Sequence, residues 1–165
     1  MPGRLELDVT YAARRPWVPR RAQFAAWAGA ALSSAGRDAG GPAGPAARAP
    51  AGFVLSVRVV GAARSRGLNA RYRHKDRPTN VLSFGGAGLC PDGRNHLGEL
   101  VICAPVVARE AGRQGKSAEA HWAHMTVHGV LHLLGFDHER RAEERKMSAR
   151  EIQILDRLGF SDPYA

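Results

Sequence analysis

The segment HGVLHLLGFDH, from His128 to His138, contains three histidines whose spacing predicts a metal site on a helix and the turn after it. Residues four apart lie on one face of a helix, so His128 and His132 can bind the same ion from one side. Gly135 can take the left-handed conformation that ends a helix, and the chain can then turn back to bring His138 to that ion. Three neutral imidazoles and an open fourth position are typical of a catalytic zinc site.

The same segment lacks one residue of the zinc-peptidase pattern. Zinc peptidases of the HExxH type carry a glutamate after the first histidine as the general base, and this chain has Gly129 there. A pair of histidines four apart is often only a polar patch on an amphipathic helix, but the third histidine and the glycine at the turn favour metal binding. The pattern therefore indicates a metal site and does not support peptidase chemistry. Three imidazoles suit zinc, but also nickel or copper.

The charge of the chain favours a polyanionic partner. It has 24 Lys and Arg residues against 15 Asp and Glu residues, a formal net charge of +9 and a pI near 10.7. Arginine can hold a phosphate with two hydrogen bonds, so nucleic acid is the favoured partner, although a strong positive charge can also serve solubility alone. No apolar run is long enough to predict a membrane span, and two cysteines are too few for a disulfide framework. The N-terminus lacks a secretory pattern, so we expect a cytoplasmic protein.

The periodicity of apolar residues predicts a single α+β domain over residues 1–165, with a small mixed β-sheet of about four strands packed with helices. Strands are expected at 4–10, 53–60, 80–84 and 98–103, and helices at 24–32, 64–71, 104–115, from Ser117 into the metal segment, and at 140–158. The metal site would lie on the fourth of these helices and its following turn. Residues 36–52 are rich in Gly, Pro and Ala, which predicts a flexible loop.

Three further groups of side chains bear on function. A basic cluster with one aromatic residue precedes the third strand, at Arg71, Tyr72, Arg73, His74, Lys75 and Arg77. Such a cluster can bind phosphates, or it can be a solvated loop. His124 lies one turn before His128 on the same helix face; a role beside the metal ligands is an alternative to the favoured interpretation, an ordinary core or surface histidine. On the last helix, the predicted inward stripe is Met147, Ile154, Leu155 and Leu158.

Three segments resemble the YbeY family of bacterial rRNA-maturation endoribonucleases. They are LNARYRHKDRPTNVLSF (68–84), GELVIC (98–103) and AHWAHMTVHGVLHLLGFDH (120–138). The resemblance implies one zinc ion on His128, His132 and His138, and it places the functional arginine of the family at Arg73. It further implies single-strand-specific cleavage of RNA, in maturation of the 16S rRNA 3′ end and in ribosome quality control.

The resemblance also implies partners. These are ribosomal RNA and the ribosome, with a small-subunit ribosomal protein and an assembly GTPase as further candidates. Two alternatives stay open at this point. The chain could be a ribosome-assembly factor that binds RNA and uses zinc only for its structure, or a metallopeptidase with a relocated base. The sequence identifies neither the nucleophile nor the general base.

Overall fold

A computed structural model of the protein describes residues 3–37, 50–136 and 140–165. Within these residues the chain forms four strands and five helices. In chain order they are β1 (Arg4–Tyr11), α1 (Arg21–Arg37), β2 (Gly52–Val60), α2 (Ala62–Arg73), β3 (Val81–Leu89), β4 (Arg94–Cys103), α3 (Ala104–Gln114), α4 (Ala118–Leu133) and α5 (Arg141–Arg157). The strands form one mixed sheet in the order β1-β2-β4-β3, in which only β3 is antiparallel to its neighbour. The predicted α+β fold with a small mixed sheet is confirmed.

Apolar side chains on the two inner strands serve two cores. Successive residues of a strand point to opposite faces of the sheet. On β4, Leu100 and Ile102 therefore enter the larger core with α1, α4 and α5, whereas Val101 and Cys103 enter a smaller core with residues of α2 and α3. This two-sided burial explains why residues 53–60 of β2 and 100–103 of β4 are mostly apolar.

Helix α4 occupies the centre of the larger core. It packs against α1, α3 and α5 and against strands β3 and β4. Its N-terminus is capped as the sequence predicted, because the Oγ of Ser117 accepts a hydrogen bond from the backbone N–H of Ala120 at 3.1 Å. Gly135 follows the helix with φ +98°, the left-handed conformation expected at that position. The helix that carries the metal-binding pattern is thus held on several sides, which fixes the direction of its side chains.

Several boundaries differ from the sequence-based predictions; strand β4, for example, begins at Arg94 and not at residue 98. Strand β3 continues to Leu89, beyond the expected end at residue 84, because its glycine-rich second half still pairs with β4. The loop predicted at 36–52 is shorter at both ends, since α1 continues to Arg37 and β2 begins at Gly52. Residues 38–49, the centre of that prediction, lie outside the described residues. No helix in the described part of the chain is long and apolar enough to cross a membrane.

Candidate active site

His128 and His132 lie on the same side of α4, one turn apart. Their rings are 4.7 Å apart between centroids and inclined at 77°. Both residues are partly exposed, in contrast to the other two histidines of α4, which are buried. The structure therefore brings together two of the three predicted ligands where solvent can reach them. His138, the third, lies outside the described residues.

Gly129, where a peptidase would carry its glutamate, faces the sheet. A Cβ atom at this position would lie 2.7 Å and 3.1 Å from the two Cδ atoms of Leu100, which is fully buried in β4. The helix approaches the sheet so closely here that any side chain would have to displace the core. The absence of a glutamate therefore has a packing reason, and the position points away from the side on which His128 lies.

Glu151 of α5 is the side chain of this candidate site that sequence analysis missed. It is 0% exposed, and its Oε1 accepts a short hydrogen bond from Nδ1 of His128. The sequence did contain a signal, because Glu151 falls within the apolar stripe between Met147 and Ile154. A charged residue at an inward position is rarely buried unless it is paired.

This contact decides which nitrogen of His128 can bind a metal. With Nδ1–H donating to the carboxylate of Glu151, Nε2 carries the lone pair that can bind a metal ion. Metal-binding histidines commonly make this hydrogen bond, because it fixes the ring and makes it a better ligand. The donor set thus fits a divalent ion at Nε2 of His128, with His132 one turn away.

The carboxylate of Glu151 has two further partners. Nε2 of His124 donates to Oε2 at 3.1 Å, and the hydroxyl of Tyr164, in the C-terminal segment, donates to the same oxygen. Burial opposes ionisation of Glu151, but the hydrogen bonds from these two residues and His128 outweigh it and lower its pKa to about 2. Burial lowers the pKa of His124 and, together with the neighbouring carboxylate, raises that of Tyr164. The network therefore keeps a charged acceptor behind His128.

His124 was expected to be an ordinary core or surface histidine, with a place beside the ligands as the alternative. It is 7% exposed and contacts both Glu151 and Tyr164. It is therefore a buried histidine that shares the carboxylate of Glu151 with His128. Ligand atoms of His124, His128 and Glu151 lie within 4.8 Å of one another, so this group could also hold a metal ion. An ion there would replace the hydrogen bonds of the network.

Arg73, the arginine expected to act on the substrate, ends α2 and lies along the edge strand β3. Its Nη2 donates to the carbonyl oxygen of Ser83 at 3.2 Å. The hydroxyl of Ser83 in turn donates to the carbonyl oxygen of Gly129 at 3.4 Å, next to His128 on α4. One residue of β3 therefore connects the basic segment to the helix that carries the histidines. Arg73 and Gly129 are 56 positions apart in the chain, and the sheet edge brings their elements together.

Comparison with known proteins agrees with this arrangement. A family model described as Endoribonuclease YbeY matches residues 41–159. The chain belongs to the YbeY family. The resemblance of the three sequence segments to YbeY is thereby confirmed, and with it the enzyme class of the family.

Individual relatives cover almost the whole chain. Endoribonuclease YbeY of Stenotrophomonas maltophilia is 47% identical over 169 residues, which is 99% of this chain and 96% of that protein. Endoribonuclease YbeY of Alkalilimnicola ehrlichii is 50% identical over 165 residues, covering 97% of this chain and 91% of that one. The solution structure of TM1509 from Thermotoga maritima matches with a TM-score of 0.53 and 19% identity, over 93% and 91% of the two chains. At that identity the match concerns the fold alone.

Proposed function

We propose that this chain, as a single domain over residues 1–165, is a zinc-dependent endoribonuclease that cleaves single-stranded RNA. One observation carries the proposal: Nδ1 of His128 is hydrogen-bonded to a buried carboxylate, which leaves Nε2 as the nitrogen that can bind an ion, and the ring of His132 lies 4.7 Å away. One zinc ion would be held by these two residues and by His138. When bound, zinc supplies a Lewis acid that stabilises negative charge on a phosphate oxygen. The finer assignment is to cytoplasmic 16S rRNA 3′-end maturation and ribosome quality control.

Arg73 is proposed to hold the phosphate next to the scissile bond. Two backbone carbonyls, of Tyr72 and Ser83, accept hydrogen bonds from it in the described part of the chain, and a guanidinium has five N–H donors. Its planar group can bind two phosphate oxygens at once. The contact to Ser83 holds the guanidinium at the edge strand that also contacts α4, the helix that carries His128 and His132.

The same geometry supports RNA over a peptide as substrate. Gly129 cannot act as a base, and its position faces a buried leucine instead of the site. A net charge of +9 favours binding of a polyanion such as RNA, most strongly at low salt. Ribosomal RNA and the ribosome are the proposed partners, and a small-subunit ribosomal protein and an assembly GTPase are further proposed partners.

The proposal is tested by cleavage of a single-stranded RNA that spans the 16S 3′ junction, compared with the same RNA annealed into a duplex. We expect His128→Ala and Arg73→Glu each to abolish cleavage without loss of helical circular dichroism. Matched controls are His96→Ala, which changes a partly exposed histidine bonded to Asp92, and Arg113→Glu, on the exposed end of α3. Both should cleave like the parent.

Different results would support different alternatives. If zinc removal unfolds the chain and no preparation cleaves RNA, the zinc is structural and the protein is an RNA-binding assembly factor. If both site variants cleave like the parent, the site is assigned wrongly. If the parent protein cleaves RNA, analysis of the new RNA ends identifies the nucleophile. Attack by the 2′-hydroxyl leaves a 2′,3′-cyclic phosphate, and attack by water does not.

A further inference from the structure

Tyr72 is an exposed aromatic residue within a group of aromatic and cationic side chains. It exposes 47% of its surface. Its ring packs against Phe84 in a T-shaped contact with 5.1 Å between centroids, and the guanidinium of Arg71 lies over the Tyr72 ring, 5.3 Å from the ring centroid. Arg73 lies over the ring of Phe84 at 5.8 Å. We refer to Arg71, Tyr72, Arg73 and Phe84 as the Tyr72 platform.

The platform is held in place by the loop that follows α2. Nδ2 of Asn69 donates to the carbonyl oxygen of Arg77 at 2.8 Å, and Ser65 exchanges two hydrogen bonds with the backbone of Thr79. His74 ends the helix with φ +59°, a left-handed conformation that a non-glycine residue rarely adopts. The buried side chains of Ser65 and Asn69 therefore tie the loop to the helix. A ligand on the platform would lose little binding energy to ordering the protein.

The charges around the platform suit a nucleic-acid strand. Residues 64–77 include six Arg and Lys residues and one carboxylate, and that carboxylate, Asp76, is paired with Arg66 at 2.8 Å. Cations of this density bind phosphates, but they do not account for an exposed aromatic ring among them. Every nucleobase has a π face, and stacking on tyrosine is a common way to bind single strands.

The platform adjoins the proposed cleavage site around the edge of the sheet. Arg73 belongs to the platform and also contacts Ser83, whose hydroxyl reaches the carbonyl oxygen of Gly129. Ser83 and Phe84 point to opposite faces of β3. An RNA strand that runs from α4 to Tyr72 must therefore bend over the β3 edge of the sheet. A single strand can bend in this way with its bases unstacked, whereas a duplex is stiff and keeps its bases paired.

We propose that Tyr72 stacks on one base of single-stranded RNA, a short distance along the strand from the bond that is cleaved. This inference rests on the proposed function and adds a base-binding subsite to it. Phe84 contacts the ring, and Arg71, whose guanidinium lies over it, would turn to a phosphate of the bound strand and leave that face of the ring to the base. Because stacking does not depend on base identity, the subsite selects unpaired RNA without selecting a sequence.

The test measures binding of a short fluorescent 2′-O-methyl oligonucleotide by anisotropy, with the zinc-loaded protein and a gel check that the strand stays intact. We expect Tyr72→Ala to weaken binding by about 10-fold, within the range measured for loss of one stacked base. Tyr72→Phe should bind like the parent, because it keeps the ring. The matched control is Trp17→Ala, since Trp17 is 41% exposed and follows β1, the opposite edge of the sheet.

Two further measurements separate stacking from charge. Tyr72→Ala should leave the salt dependence of binding unchanged, whereas Arg73→Gln should lower its slope by about 0.7, the value for one phosphate contact on a single strand. A series of oligonucleotides would each carry one abasic nucleotide at a different position. At one position the abasic nucleotide should weaken binding to the parent protein by about the same factor as Tyr72→Ala. At that position it should not weaken binding to the Tyr72→Ala variant any further.

The outcomes distinguish this subsite from the proposed activity. Binding by Tyr72→Ala that equals the parent overturns the subsite, as does an equal loss in Tyr72→Phe, whether or not RNA is cleaved. If the oligonucleotide binds with the expected dependence on Tyr72 but RNA is never cleaved, the subsite stands and the nuclease assignment fails. Loss of binding only to a protein partner, with the oligonucleotide unaffected, would also overturn it.

Discussion

Replacing Glu151 with glutamine should weaken zinc binding by about 10- to 100-fold while the protein stays folded. Glutamine has nearly the same size, so the packing around this fully buried position is retained. It offers one acceptor oxygen where the carboxylate offers two, and its amide nitrogen can only donate. In the native protein Oε1 accepts from His128, and Oε2 accepts from His124 and Tyr164. The substitution must therefore break the contact on one side.

The expected loss of zinc affinity depends on which partner the amide nitrogen of the glutamine faces. If the amide nitrogen faces His128, Nδ1 of the histidine must become an acceptor, and the proton moves to Nε2, the atom proposed to bind the ion. If it faces His124, two donors lose their acceptor. A hydrogen bond to a charged group contributes about 1.5–3 kcal/mol, which corresponds to roughly a tenfold to hundredfold change in an equilibrium constant.

The measurement is a competition titration of zinc against a chromophoric chelator, with circular dichroism to verify folding. Asp156→Asn is the matched control, because it also removes a carboxylate from α5 but at an exposed position. A folded Glu151→Gln protein that binds zinc as tightly as the parent would refute the reasoning. Two further variants test where the ion binds. His132→Ala should lose more zinc affinity than His124→Asn. The reverse order would place the metal on the buried group of His124, His128 and Glu151.

Two more predictions concern stability. Gly129→Ala should destabilise the protein by about 1–3 kcal/mol, because the new methyl group would overlap a buried leucine of β4; thermal unfolding checks this, and Gly112→Ala, a helical site with open space around it, should not destabilise. A hydrogen bond to His121 lowers the pKa of Glu110 below its ordinary value of 4.5. The contribution of this carboxylate to stability should therefore be complete above pH 4.5 and be lost as the pH falls below that value. Glu110→Gln should therefore flatten the dependence of the free energy of unfolding on pH below 4.5, and an unchanged slope would contradict a stabilising role of this carboxylate.

Most of the fold was readable from local patterns. The periodicity of apolar residues predicted the strands at 4–10 and 53–60, and Gly135 predicted the end of the helix that carries the histidines. These signals depend on residues close together in the chain, where backbone geometry alone sets which side chains share a face. The length of β3 was underestimated because its glycines carry no pattern, and only pairing with β4 extends it.

The histidine spacing on α4 and the family resemblance likewise came from the sequence alone, and they were enough to propose a zinc nuclease. Tertiary structure decided the rest. It placed Glu151 behind His128 across 23 residues of sequence, and it brought Arg73 to the edge strand that touches α4. It also showed that Gly129 is required by packing against β4. Such contacts join distant parts of the chain through burial and hydrogen bonding, and no local periodicity records which distant residue will become the partner.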